Sequence, residues 1–285
     1  MNDTMGNAES GDTTLESGMP FSRRRVSFPG AGWGGSQVSA IEAPEPEISV
    51  VVPLSNEGPN VLPLARQIFE ALGKERRLVE LVLVDDASKD DTWQRILEAQ
   101  RTDVRVRALR HLKPSGQSAA LWTGFTASRG TTLATLDGDL QNDPADLPRL
   151  FAELADCDLV CGVRIKRMDN RVRRLSARVA RWARRKALGV DFQDIGCNLR
   201  AFKRPVLQTL LPFDALHRFM PVLAQDAGAI VKELPVAHRP RVAGRSKYGI
   251  WNRLGRGLWD LAMISWYRKR QLRNIAVVEH AQPRA

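Results

Sequence analysis

Cysteine and histidine are scarce in this sequence, with three and four residues respectively among 285. Three cysteines do not make a disulfide framework, and Cys157, Cys161 and Cys197 show no paired spacing with histidine that would predict a zinc site. Cys157 and Cys161 lie in or beside an apolar run, where free cysteine usually behaves as a small core residue. This usage fits a reducing, cytoplasmic setting.

Long apolar runs are also missing. No stretch reaches 18 consecutive apolar residues, so we expect no transmembrane helix. The N-terminus lacks the apolar region of a secretory signal. Residues 1–46 are instead rich in Gly, Ser, Thr, Asn and Pro without a sustained period, which is typical of a disordered tail.

Positive charge is abundant, with a formal net charge of +11. The excess lies mostly after residue 163, and between 164 and 186 the only acid is Asp169. Such a balance indicates a polyanionic partner, for example nucleic acid, an anionic membrane face or a phosphorylated substrate. A solvated helix face would show the same run of charge.

Strand and helix patterns alternate from residue 48 onward. Buried-strand patterns occur at 48–53, 79–84, 104–109, 131–136 and 159–163, and helical patterns at 61–72, 92–100, 115–128 and 144–154. This alternation predicts an α/β domain with a doubly wound, mostly parallel sheet. We assign this domain to residues 47–248.

Three features complete the predicted organisation. Residues 88–91 resemble a capping box that opens the helix at 92. Residues 195–248 are predicted to form a small appended layer. Residues 249–285 are predicted to hold an amphipathic helix at 250–270, whose mixture of tryptophan, arginine and lysine suits a membrane interface. Packing of that helix on the domain is the alternative.

Acidic residues follow three of the predicted strands. Glu57 follows the first, Asp86 the second, and Asp137 and Asp139, separated by Gly138, the fourth. In doubly wound sheets ligands bind at the carboxyl ends of the strands, so we expect these acids along one ligand-binding edge. Two carboxylates on the same side of an extended segment, with a glycine that lets a ligand approach, predict a metal or phosphate site. An acidic turn would show the same local pattern.

Nine segments carry a family resemblance. They lie, in order, at residues 50–57, 84–92, 116–120, 136–141, 162–164, 196–202, 217–219, 238–241 and 244–247. As an ordered set they resemble family 2 glycosyltransferases, specifically the polyprenyl- or dolichol-phosphate mannose synthase branch. The resemblance implies a GT-A type fold and transfer of a sugar from a nucleotide-sugar, GDP-mannose or a UDP-sugar, to a polyprenyl phosphate.

The resemblance also implies site residues. Donor contacts would come from Pro53, Glu57, Val84 and Asp86. The diphosphate would be held through Mg²⁺ or Mn²⁺ by Asp137, Gly138, Asp139 and Gln141, with Asp137, Asp139 and Gln141 as the metal ligands. The acceptor phosphate would meet Arg164 and Arg173 or Arg174. A mobile loop would bring Arg241 and Lys247 to the donor and acceptor phosphates as catalytic residues.

A lipid phosphate acceptor fits the basic segment at 164–186. Its second pKa is about 6, so it is an anion at neutral pH and needs cations rather than a base. We therefore expect an enzyme that is cytoplasmic and peripheral on the inner face of the cell membrane. Transfer to a saccharide hydroxyl is the alternative. A basic nucleic-acid- or membrane-binding protein without catalysis is a further one, but the acids along the sheet edge would repel nucleic acid without a metal.

Overall fold

The computed structural model describes residues 45–165, 181–182, 184–240 and 250–270, and within the last range the side chains of 257 and 259–270. Its strands are β1 (Ile48–Leu54), β2 (Val79–Asp85), β3 (Val106–Arg110), β4 (Thr132–Thr135), β5 (Leu159–Arg164), β6 (Arg200–Lys203) and β7 (Val231–Val236). Its helices are α1 (Gly58–Ala71), α2 (Thr92–Thr102), α3 (Gln117–Ala127), α4 (Leu147–Glu153), α5 (Leu216–Asp226) and α6 (Ile250–Arg270). Two 3-10 helices lie at Pro144–Asp146 and Arg204–Thr209.

The seven strands form one sheet in the order β3-β2-β1-β4-β6-β5-β7. Strands β1 to β4 are parallel, β6 runs antiparallel to both β4 and β5, and β7 is parallel to β5. The carboxyl ends of β1, β2, β4, β5 and β7 and the amino end of β6 therefore lie on the same edge. We call it the ligand edge. The predicted fold class, α/β with a mostly parallel sheet, is confirmed.

The prediction of a small appended layer at 195–248 is wrong for the strands of that segment. β6 inserts between β4 and β5, and β7 extends the sheet beyond β5. The pairing of Thr135 with Arg200 places the start of β6 beside the end of β4. This insertion brings the residues just before β6 to the ligand edge.

The core lies on both faces of the sheet. Val50 and Val52 point into a cluster with α1, α2 and α4, whereas Val51 points into a second cluster with α3 and α5. All three side chains are completely buried. A strand covered on both faces has apolar residues at every position, which explains the continuous apolar runs in the sequence.

Element boundaries show where local patterns were overridden. The predicted capping box is wrong, because the Ser88 hydroxyl accepts the backbone N–H of Asn56 at 2.9 Å and Asp90 accepts the N–H of Thr92 at 3.1 Å. Asp143 accepts the N–H of Ala145 and caps the 3-10 helix that begins at Pro144. Helix α6 spans the predicted residues. None of the described helices combines the length and apolarity needed to cross a bilayer.

Candidate active site

The acidic pair, Asp137 and Asp139, lies where the chain reverses its direction across the sheet. From β1 the chain proceeds outward to β2 and β3 and then returns to β4 on the other side of β1. The loops that follow β1 and β4 diverge at such a point and leave a crevice at the carboxyl ends of the strands. Asp137 and Asp139 lie in the loop directly after β4, which we call the acidic loop. The expected placement of the acids at one edge is therefore confirmed.

Gly138 is in close contact with the neighbouring strand. A Cβ added to it would lie 2.4 Å from Cδ2 of Leu54 and 3.2 Å from the carbonyl oxygen of Pro53. Protein packing thus already requires a glycine here, whether or not a ligand also approaches the backbone. This contact holds the acidic loop against the end of β1.

Two side-chain amides converge on one oxygen of Asp137. Gln117 Nε2 and Asn198 Nδ2 each donate to Asp137 Oδ1 at 2.8 Å. Asp137 is densely surrounded by protein although part of it reaches solvent. Burial and the nearby charge of Asp139 raise its pKa, and together they outweigh the hydrogen bond from Asn198 and the positive charge of Arg164. A cation bound beside the two carboxylates would offset this repulsion and favour the charged form of Asp137.

The rest of the acidic loop has a strained backbone. Asp139 is 8% exposed, and its carboxylate accepts the backbone N–H of Gln141 at 3.2 Å. Leu140 between them has a φ of 60°, and positive φ values also occur at Asn56 and Ala87 in the loops after β1 and β2. Such conformations cost about 1–3 kcal/mol each in residues other than glycine and cluster at functional sites.

Arg239 ties the acidic loop to two other parts of the domain. Its backbone N–H donates to the carbonyl of Gln141 at 2.8 Å, and its guanidinium contacts Asp143 at 2.6 Å and Gln67 on α1 at 2.8 Å. Arg239 follows β7 at the ligand edge. The contact therefore joins the acidic loop to the segment that leads toward residues 241–247.

Loops after β1 and β2 are joined to each other. The backbone N–H of Glu57 donates to Thr92 Oγ1 at 2.8 Å, and the backbone N–H of Lys89 donates to Asn56 Oδ1 at 2.8 Å. Glu57 itself accepts a hydrogen bond from the side chain of Asn60 at 2.7 Å. The predicted donor residue Glu57 thus lies in a rigid double loop at the ligand edge.

Asp86 is engaged in holding the start of α3. Its carboxylate accepts the backbone N–H groups of Ser115 at 2.7 Å and Gly116 at 2.9 Å, and it faces His111 Nδ1 at 2.8 Å. Burial opposes its charge, but these hydrogen bonds outweigh burial and lower its pKa. Gly116 has a φ of +91°, so a side chain there would be strained. Asp86 thereby sets the position of Gln117, the first residue of α3.

The two predicted donor residues on strands are buried. Val84 is completely buried and packs against α3 near Gly124, and Pro53 is buried in β1. In this structure the side chain of Val84 presents no surface to a base. Its contact with a nucleoside stays a prediction.

Arg164 ends β5 at the ligand edge and pairs with a carboxylate. Its Nε and Nη2 donate to the two oxygens of Asp194 at 2.6 and 2.8 Å. Burial opposes its charge, but the pairing with Asp194 raises its pKa overall. Arg164 is therefore a fixed cation beside the acidic loop.

Some predicted site residues lie outside the described residues, and two further residues of the site were not predicted from the sequence. Arg173, Arg174, Arg241 and Lys247 belong to the first group. Gln117 and Asn198 belong to the second, although both lie within segments that carry the family resemblance. A single amide gives no charge pattern, so only the pairing of β4 with β6 and the position of α3 reveal that they meet at Asp137.

The acidic pair fits a divalent cation that takes most of its ligands from elsewhere. Among the described residues no group of three or more His, Cys, Asp or Glu side chains is arranged to hold a metal ion. Asp137, Asp139 and Gln141 offer oxygen donors only, which suit Mg²⁺ or Mn²⁺ rather than softer metals. Such cations are commonly bound through one or two carboxylates together with substrate phosphates and water.

Comparison with known proteins identifies the family. The sequence profile described as glycosyl transferase family 2 matches residues 49–211, which is more than half of the chain. The chain belongs to glycosyl transferase family 2. This confirms the resemblance on which the sequence prediction rested.

Two named relatives are similar over most of the chain. A Pseudomonas fluorescens protein named undecaprenyl-phosphate 4-deoxy-4-formamido-L-arabinose transferase is 37% identical over 203 residues, covering 70% of this chain and 60% of the relative. A Rhizobium johnstonii protein named dodecaprenyl-phosphate galacturonate synthase is 34% identical over 235 residues, covering 80% of this chain and 69% of the relative. The chain thus spans well under the full length of the Pseudomonas protein.

Solved structures of other proteins share the fold. Glucosyl-3-phosphoglycerate synthase from Mycobacterium tuberculosis, solved with Mn²⁺, UDP and glucosyl-3-phosphoglycerate, has a TM-score of 0.58 and 24% identity. The match covers 78% of this chain and 80% of that structure. This similarity supports the GT-A assignment of the fold.

Proposed function

We propose that this chain transfers a sugar from a nucleotide-sugar to a polyprenyl phosphate. The observation that carries the proposal is the joint position of Asp137, Asp139 and Arg164 at the ligand edge of a family 2 fold. Acids suit the cation that accompanies a diphosphate, and a fixed arginine suits a second phosphate. The names of the Pseudomonas and Rhizobium relatives, both polyprenyl-phosphate sugar transferases, support the same acceptor.

The leaving group explains the need for the acidic pair. When the glycosidic bond of a nucleotide-sugar breaks, negative charge grows on the diphosphate. A divalent cation stabilises that charge as a Lewis acid, and Asp137, Asp139 and Gln141 are the residues that would hold it. The contact of Arg239 with the backbone of Gln141 holds this loop in place before a donor arrives.

The acceptor determines which further groups are needed. A lipid monophosphate is already ionised at neutral pH, so it attacks without losing a proton to a general base. It requires cations that orient it, and Arg164 is one of them. Within the described residues, the ion pair with Asp194 uses Nε and Nη2 of Arg164, so Nη1 is the nitrogen that we assign to the phosphate.

The remaining roles stay as the sequence predicts them. Arg173 or Arg174 would add a second contact to the acceptor phosphate. Arg241 and Lys247 would act from a loop that closes on the donor and acceptor phosphates. Pro53 and Glu57 would contact the nucleoside, and Val84 and Asp86 its base and ribose. Asp86 also fixes the start of α3.

Helix α6 supports a peripheral position on the membrane. Trp259, Met263 and Trp266 are 70%, 48% and 55% exposed and follow each other at spacings of four and three residues, so they share one face. Ile264, 2% exposed, packs into the core from the opposite side. Exposed indoles near the terminal Arg270 suit the interface of an anionic bilayer, and we place the enzyme on the inner face of the cell membrane.

Transfer to two acceptors tests the proposed function. Wild-type protein is incubated with MnCl₂ and a panel of radiolabelled UDP- and GDP-sugars, with either undecaprenyl phosphate in vesicles or a soluble oligosaccharide. We expect label in the lipid fraction for at least one donor and none with Asp139→Ala. Label in the oligosaccharide alone would favour the alternative, a saccharide acceptor, and would overturn the lipid assignment.

Vesicle sedimentation tests the membrane face separately. The double change Trp259→Ser and Trp266→Ser should reduce binding to vesicles that contain anionic lipid. Val104→Ser is the control, because Val104 is 95% exposed just before β3, at the edge of the sheet opposite the ligand edge. Equal binding by the double variant and the control would refute the role of this face.

A further inference from the structure

Asp137 receives its two amide donors from segments far apart in the chain. Gln117 is the first residue of α3, and Asn198 lies two residues before β6. Both bonds are 2.8 Å long, and both end on Oδ1 of Asp137. Two donors on one oxygen fix the plane of the carboxylate and leave Oδ2 to face other groups.

Neither amide is explained by other contacts. Within the described residues, the bond to Asp137 is the one side-chain hydrogen bond made by Gln117 and by Asn198. Asn198 is only 4% exposed, and its Oδ1 has no hydrogen-bond partner. Reversing the amide would place Oδ1 against the carboxylate oxygen, which would repel it. The orientation in which Asn198 donates to Asp137 therefore leaves its own buried amide oxygen without a hydrogen bond.

The chemical type of the donors also matters. A lysine or arginine at either position would hold Asp137 equally well but would repel a cation bound by the same carboxylate. Neutral amides hold the oxygen and leave the negative charge of Asp137 available. Outer hydrogen bonds of this kind orient metal-binding carboxylates, and their loss typically weakens metal binding by 10–100-fold.

We propose that Gln117 and Asn198 are a pair of positioning residues that fix Asp137 for a divalent cation. The inference rests on the proposed function, because it assumes that the acidic pair binds a metal. It adds two residues from α3 and from the segment before β6 to the metal site. It also explains why Asp86 holds the start of α3 so firmly, since that start carries Gln117.

Metal titration of two variants tests the pair. Gln117→Met keeps the length of the side chain and removes its donor, at a position that is partly exposed. Asn198→Ala removes the second donor. Wild type is first tested with UDP and with GDP. Isothermal titration then measures the dissociation constant of Mn²⁺ in the presence of the nucleotide that wild type binds more tightly. We expect each variant to raise that constant by about tenfold or more and the double variant to raise it further.

Controls separate positioning from folding and from the proposed function itself. Gln100→Ala, at an exposed position of α2, should bind Mn²⁺ like wild type. The melting temperature without metal should be unchanged in Gln117→Met. Variants that bind Mn²⁺ like wild type, while Asp137→Asn does not, would overturn this inference and leave the proposed function intact. A wild-type protein that binds no Mn²⁺ with either nucleotide would overturn both.

Discussion

The packing of Gly138 against β1 predicts a destabilisation that can be worked out from the structure. A Cβ at this position would lie 2.4 Å from Cδ2 of Leu54 and 3.2 Å from the carbonyl oxygen of Pro53. Leu54 is 1% exposed, so its methyl group cannot move into solvent and must displace other core atoms. Overpacking of this kind costs about 1–3 kcal/mol. We expect Gly138→Ala to lower the free energy of unfolding by that amount.

The same substitution elsewhere should have the opposite sign. Gly257 lies within α6, and an added Cβ there would meet nothing within 4 Å. Alanine is a better helix former than glycine, so Gly257→Ala should raise the free energy of unfolding by up to about 1 kcal/mol. Urea denaturation measures both changes, and equal m values show that the unfolded states are comparable.

A double variant identifies the clash itself. Leu54→Ala alone should cost about 2–5 kcal/mol, because it removes buried methyl groups. It also makes room for a Cβ at position 138, so the double variant should cost less than the sum of the single changes by about 1 kcal/mol or more. Additive costs, or an unchanged stability in Gly138→Ala, would refute the close approach as the reason for this glycine.

Three further predictions concern Asp86, Arg239 and His217, whose ring contacts the hydroxyl of Ser118 on α3 at 2.7 Å. Asp86→Asn should lower stability at neutral pH, because hydrogen bonds hold the pKa of Asp86 below its usual 3.8. The difference in stability from wild type should shrink as the pH falls below about 4. Urea denaturation at several pH values measures this difference. Burial lowers the pKa of His217 to about 3. The unfolded chain therefore binds a proton near pH 6.5 that the folded protein does not bind. As the pH falls below 6.5, the stability of wild type should decrease more steeply than that of His217→Asn. Arg239→Ala should weaken Mn²⁺-dependent nucleotide binding clearly, as titration will show, while its half-exposed pair with Asp143 contributes at most about 1 kcal/mol to stability.

Each of these has a result that would contradict it. A constant effect of Asp86→Asn down to pH 3 would show that the carboxylate is not held as an anion by its partners. A ring of His217 that titrates near pH 6 in NMR spectra would show that it is not buried as described. Loss of stability in Arg239→Ala without loss of nucleotide binding would reduce Arg239 to a structural contact.

The sequence was sufficient for the first half of the fold. Strands β1 to β5 and the helices between them follow from apolar runs and helical periods, which depend on neighbouring residues. The place of β6 does not follow from such patterns. Its antiparallel insertion depends on pairing with β4, which lies more than 60 residues earlier in the chain. The role of Asn198 could not be predicted for the same reason, because its partner Asp137 is equally distant in the sequence.

For the site, charge was more visible in the sequence than geometry. The acids Asp137 and Asp139 are recognisable because they follow a buried strand. Their amide partners carry no charge and have no spacing that marks them. The motif predicts that Asp86 contacts the donor, and this contact stays a prediction. The structure adds that its carboxylate holds the start of α3. A tertiary hydrogen bond of this kind is not encoded in any local pattern.

Metal-dependent nucleotide binding by the acidic pair is the central claim. Isothermal titration with UDP and GDP, in MnCl₂ or in EDTA, compares wild type with Asp139→Ala and with Asp156→Ala. Asp156 is the control acid, because its side chain is 80% exposed and its removal changes the net charge equally. We expect at least one nucleotide to bind wild type and Asp156→Ala only with Mn²⁺, and to bind Asp139→Ala at least tenfold more weakly. Equal binding by Asp139→Ala, or binding by wild type that is unchanged in EDTA, would contradict the claim.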